Sequence, residues 1–374
     1  MPEKSETLNK TVWFLNPWFD IVFLAGFPVF FIIAFLFVFI PYYYLPSLKF
    51  YFYVSAFLFA IFNFPHMLSD LSVLLDSREI KDKTLKLLWL PFSFLLFTLF
   101  LKILSVLFNF SQEFERIRHF WGPLHVFLQH WFILKLYNLR NNHELKFDNW
   151  LEPLCLFLIC MDSNFTGLLP NIFKKFNLIS LDMLGLFILL YRIIVYSSFI
   201  IFLLRQLHIF IRYKRIYMFK IVLFFSIFTI YYGLSFITKS SYIAYLGAIR
   251  EVHNFQWILF IWLFHRIKFK TGEVKEAWFI SHISQTGKAK LYFLIFALVS
   301  FGFVFSYDFW ALFLRRIMRI ELFELISIIQ TPLALSHFFI DIFIWRYSSL
   351  RKVILEQDNL INTYDPQNRS YFTF

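Results

Sequence analysis

Two turns of the chain carry the same ionisable pair inside apolar runs. FNFPHMLSDLSVLL holds His66 and Asp70, and LSHFFIDIFIWR holds His337 and Asp341. Residues four apart share one face of an α-helix, about 6 Å apart along its axis. A His-x-x-x-Asp turn therefore suits two uses: both side chains bind one metal ion, or the histidine binds it while the carboxylate holds a neighbouring imidazole in the required tautomer. Two more runs add to this set. RHFWGPLHVFLQHWFILKLYN contains His125, Gln129 and His130, and AIREVHNFQWILFIWLFHR contains Arg250, His253, Asn254 and Gln256.

The candidate metal ligands are therefore His66, Asp70, His125, His130, His253, His337 and Asp341. His125 and His130 are five apart, about 140° around a helix, so one of the two points at a common centre. Imidazole and carboxylate suit iron, manganese or zinc, with iron favoured, and the lack of matched cysteine pairs argues against a thiolate site. A lone histidine in a helix bundle is more often a hydrogen-bonded packing residue. Four at matching depth are harder to explain that way, because each needs a partner away from water. Arg192 and Arg250 are candidates for binding a carboxylate or phosphate of a substrate, or for balancing Asp70 and Asp341.

The heptad FPHMLSD, through Pro65, His66 and Asp70, resembles the Pro-His-x-x-x-Asp pattern of the bacterial membrane carotene-cleaving dioxygenases, the beta-carotene dioxygenase family. Where that family has a small residue after the histidine, Met67 stands here. The resemblance implies a polytopic helical protein with a four-histidine non-haem iron centre and an apolar substrate cleaved by oxygen. It carries over His66 alone as a ligand.

The elements that must position these residues are membrane helices. Of the 374 residues 59% are apolar and 16% charged, and the mean hydropathy is +0.64, far from the balance of soluble domains. Apolar runs of about 20 residues, enough to cross a bilayer core, lie near 20–40, 50–75, 87–109, 119–137, 149–169, 181–204, 217–237, 242–264, 289–308 and 322–346. The expected fold is all-α: a polytopic integral membrane bundle of about ten transmembrane helices over 1–346, with a polar cytoplasmic tail at 347–374. Most of the 36 Lys and Arg residues fall on the side shared by both termini, which puts the termini in the cytoplasm by the positive-inside rule. The histidines concentrate in the even-numbered spans, and the odd-numbered ones are comparatively plain.

The net charge of +12 is scattered through short loops, so no nucleic-acid partner is expected. The start, MPEKSETLNK, lacks the pattern of a secretory signal, and the first span is expected to remain as an anchor, with a bacterial inner membrane as the location. Cys155 and Cys160 cannot bridge locally. No Walker A, G-x-G-x-x-G, G-x-S-x-G, H-x-x-x-H or H-E-x-x-H pattern occurs. The expected function is a membrane-embedded, histidine-ligated metal protein, an oxidoreductase or oxygenase of the non-haem iron type. Its partners are membrane lipid and a lipophilic small-molecule substrate. A b-type haem protein with two facing histidines and a proton-coupled transporter using the His/Asp/Arg cluster are the alternatives.

Overall fold

The computed structural model describes residues 13–26, 66, 72, 78–108, 110–141, 146–176, 180–238, 250–270, 272–273, 278–285, 287–302, 328 and 331–341. Asp70 and the tail at 347–374 lie outside these residues, as do large parts of the first, second and tenth expected spans. Among the described residues every regular element is helical and there is no strand. The principal helices are α1 (Arg78–Leu107), α2 (Ser111–Arg140), α3 (Asp148–Cys160), α4 (Leu169–Lys175), α5 (Leu181–Tyr213), α6 (Met218–Thr238), α7 (Arg250–Lys268), α8 (Trp278–Ile283), α9 (Ala289–Gly302) and α10 (331–341).

By length and composition α5 can cross a membrane from Asp182 to Tyr213, and α3 passes the same test only when joined to Asn164–Lys175 across a 47° bend. Shorter apolar helices cover Phe92–Leu107, Met218–Gly233 and Ala289–Gly302. By this measure the described residues hold one such helix, or two if the bent pair is one span, and do not reach the expected ten. Several helices outrun the apolar runs that announced them: α5 has 33 residues, about 50 Å at 1.5 Å per residue. The physical reason is that Arg205 and Arg212 end the apolar run but not the helix, since long basic side chains tolerate helical backbone well. The stop comes at Lys214, whose left-handed φ of 54° breaks the helical path.

The chain divides into two compact units, 1–51 with 122–256, and 52–121 with 257–374. In the first, α3 packs against α5 and α6 around Cys155, Leu156, Val195 and Phe219, all buried. Phe199 stacks on Phe228 and Phe202 on Phe224, each pair at 4.1 Å between centroids. Buried charges are matched across these helices. Lys220 on α6 meets Glu152 on α3 at 2.6 Å, and Asn138 on α2 donates to the other Glu152 oxygen at 2.7 Å. Arg205 on α5 holds Asp148 at 2.7 Å. A cation in the first turn of a helix opposes the helix dipole, so Lys220 depends on Glu152 for its place. Before α2, Asn16 caps a short turn at Pro17–Phe19, and the Asp20 carboxylate accepts the backbone N–H groups of Phe14 and Leu15.

In the second unit Lys102 on α1 donates to Ser111 and Glu115 at the start of α2, while Arg118 and Thr331 also bond the Glu115 carboxylate. Phe94 of α1 stacks on Phe339 of α10 at 4.5 Å. Glu115 precedes the expected fourth span. Burial raises its carboxyl, but Arg118 and the bonds from Lys102 and Thr331 outweigh burial and hold it below the ordinary glutamate range. A folded pKa below the unfolded one contributes stability that is present above the unfolded value and lost as pH falls through the folded value.

Two outcomes are expected in detergent. Thermal melts of the parent lose stability on acidification below the ordinary glutamate range, and a Glu115→Gln variant shows a shallower loss over that window; identical slopes would contradict the assignment. Lys220→Met leaves Glu152 buried without its cation and lowers the unfolding free energy by about 3–5 kcal/mol, whereas adding Glu152→Gln recovers most of that loss in denaturant titration.

Candidate metal centre

α10 places His337 and Asp341 on one face, as their spacing requires, with His337 Nε2 3.7 Å from Asp341 Oδ2. His66, separated by most of the chain, presents its Nε2 to His337 Nε2 at 2.8 Å. The two rings meet edge to face at 4.3 Å between centroids. All three residues are buried, Asp341 completely. His66, His337 and Asp341 each offer a ligand atom, and these atoms lie within 4.8 Å of one another. Trp257, fully buried, stands edge-on to His66 at 6.3 Å and walls that side with hydrocarbon.

Two readings of the 2.8 Å contact are chemically distinct. As a hydrogen bond between neutral rings, it requires one imidazole to be protonated on Nε2 and the other to be bare there. As a ligand pair, it fits a shared ion: two nitrogens about 2.1 Å from one centre at a right angle are about 3 Å apart. A buried carboxylate on the same side favours the second, because a cation there offsets a charge that burial otherwise penalises. The donor set of two imidazoles and one carboxylate suits iron, manganese or zinc and can hold an ion while leaving other positions open.

Three further candidate histidines lie in the first unit. His253 of α7 lies between His125 and His130 of α2, at 5.2 and 5.3 Å between ring centroids. His130 is held at both nitrogens: Nδ1 meets the Val126 carbonyl at 2.8 Å and Nε2 meets Gln256 Oε1 at 2.7 Å. The Gln256 amide is oriented in turn by donating to the Leu24 carbonyl. In this arrangement His130 offers no lone pair to an ion and serves as a tie between α2 and α7. His125 and His253 are both buried.

Family models, curated proteins and solved structures give no match to this chain. The site therefore rests on its own geometry.

Of the arginines expected to meet a substrate, Arg192 is exposed on α5 and Arg250 opens α7 with its side chain outside the described residues. Residues not singled out in the sequence prove to be buried and polar: Lys102, Glu152, Asp162 and Lys220. The signal for Asp162 was present in the polar run MDSN within an apolar span. Nothing local marks the partners of the other three, which meet only through tertiary packing.

The tie made by His130 can be tested apart from the ion. Gln256→Leu strands His130 Nε2 and the Leu24 carbonyl and is expected to cost about 1–3 kcal/mol of stability, read by denaturant titration, while metal content per chain stays at the parental value. Loss of metal in this variant would mean that the His130 group, too, supports the ion.

Proposed function

We propose that this chain is a membrane-embedded metal protein in which His66, His337 and Asp341 hold the ion, and that it acts as a non-haem iron oxidoreductase on a lipophilic substrate. The observation that carries the reading is the convergence of the His66 and His337 Nε2 atoms at 2.8 Å beside the buried Asp341 carboxylate. Iron(II) bound with open positions supplies the chemistry of dioxygen activation. The chain's own residues supply the remainder. His66 and His337 orient two donors side by side, Asp341 balances charge, and Trp257 with its aromatic neighbour Phe260 keeps the surroundings dry.

The same distance disfavours a haem held by this pair. Axial histidines lie on opposite faces of the iron, about 4 Å apart from nitrogen to nitrogen with the porphyrin plane between them, whereas these nitrogens are side by side. Membrane residence is supported by the outward face of α5, where Leu186, Leu190, Ile193, Ile194, Ile201 and Leu204 are all exposed. An apolar surface of that length is costly in water and at no cost in lipid. A substrate dissolved in the bilayer meets such a protein without passing through water.

The test is elemental analysis of the detergent-purified protein beside His66→Ala, His337→Ala and Asp341→Asn. One equivalent of iron, manganese or zinc is expected in the parent, with both histidine variants depleted and the asparagine variant weakened at least tenfold in affinity. A parent that binds no transition metal on reconstitution, or variants that retain it fully while folded, would sink the proposal. Iron in particular is distinguished by reconstitution with each of the three metals and competition between them.

A further inference from the structure

The break between α3 and α4 has its own chemistry, and none of the candidate metal ligands takes part in it. α3 ends at Cys160, and the chain turns through Met161, Asp162 and Ser163 into a wide turn at Asn164–Leu168 before α4. Breaking a helix frees backbone groups that must find partners away from water. Two tyrosines provide them. The Tyr191 hydroxyl of α5 donates to the Leu158 carbonyl, and the Ser163 N–H donates to the Tyr231 hydroxyl oxygen of α6 at 2.6 Å.

Asp162 sits in this break with no solvent exposure. Two other buried acids of the same unit have cations against them, Glu152 with Lys220 and Asp148 with Arg205, and a third, Asp20, is held by backbone N–H groups. Asp162 makes no ion pair among the described residues. Its side-chain partners there are hydroxyls: Tyr232 donates to Oδ1 at 3.1 Å, and Thr166 Oγ1 lies 3.1 Å from Oδ2.

The Thr166 hydroxyl has one hydrogen, and its shorter contact, 2.8 Å, is to the Asp162 backbone carbonyl four residues back. That is the bond helical threonines commonly make. With the hydrogen used there, Thr166 Oγ1 faces Oδ2 as an acceptor, and two acceptors at 3.1 Å repel unless one carries a proton.

We propose that Asp162 is a proton-binding site, a neutral carboxylic acid whose proton sits on Oδ2 and is donated to Thr166 Oγ1, while Oδ1 accepts from Tyr232. The titratable and charged groups around it are Tyr191 and Arg192 of α5 and Tyr231 and Tyr232 of α6. Arg192 acts on Asp162 through space without pairing with it. When the proton leaves, the carboxylate needs a donor at Oδ2, and Thr166 can supply one only by releasing the backbone carbonyl. Proton occupancy is thereby coupled to a backbone-directed bond inside the bend. A small cation such as sodium is the competing occupant, since the side-chain atoms against the carboxylate are hydroxyl oxygens.

Infrared spectroscopy of the full chain in detergent, with 13C-labelled aspartate to isolate aspartate bands, tests this. At neutral pH the parent is expected to show a protonated aspartate C=O stretch that Asp162→Asn removes. Thr166→Val and Tyr232→Phe each keep the carboxyl and shift that band to higher frequency, because each deletes one of its hydrogen bonds. Sodium added at constant pH leaves the band in place. Three results would overturn the proposal: no acid band assignable to Asp162, a band unmoved by both hydroxyl deletions, or a band abolished by sodium. The hydroxyl variants keep the test decisive if Asp162→Asn does not fold.

Discussion

Polar atoms buried away from water must find their partners inside the protein, and for the buried charges of α3 the partners come from other helices. Glu152 and Asp148 on α3 are met by Lys220 on α6 and Arg205 on α5. The groups freed where that same line of helix breaks are met by Tyr191 on α5 and Tyr231 and Tyr232 on α6. Aromatic stacking between α5 and α6 fills the space between those two levels. The broken helix is thus specified at both ends by the same two neighbours, and its position follows from where hydroxyls and cations occur on them. Dispersion and apolar burial hold the helices together, but they are non-directional, so the polar contacts select one arrangement.

The same principle divides the histidines into two kinds. His130 is engaged at both ring nitrogens, by the Val126 carbonyl and by a glutamine whose own orientation is fixed by a backbone carbonyl. His66 and His337 instead point the same nitrogen at each other beside a carboxylate. A ring engaged at both nitrogens ties helices together. Rings with converging nitrogens make a donor set. Residue type and burial are common to both kinds, so the difference lies in what each ring faces.

That difference sets how much was legible in the sequence. The His337 and Asp341 pairing follows from helical period alone, and the structure places them on one face. The meeting of His66 with His337 was accessible only as an argument about matching depth, and it too is found. The tie made by His130 could not be foreseen, because it depends on Gln256 and Leu24, both remote in sequence. Lys220 and Arg205 illustrate a different limit. They read as positive charges flanking apolar runs, which is how topology uses them, yet Lys220 is fully buried against an acid of another helix. The break at Asp162 was obscured because apolar residues on both sides average it into one continuous span. Helical class was legible, and every regular element among the described residues is helical.

The Lys220 and Glu152 contact also governs how these helices can move. Sliding α6 along α3 by one turn, about 5.4 Å, would part the two charges, leaving Lys220 without its acid and Glu152 with the Asn138 amide alone. The pair therefore acts as a detent that fixes axial register, much as a single polar residue fixes register in a coiled coil. Rotation about that point keeps the ions in contact. With sliding barred at one end of α3 and a bend already built into the other, the motion favoured for this layer is a pivot about the ion pair.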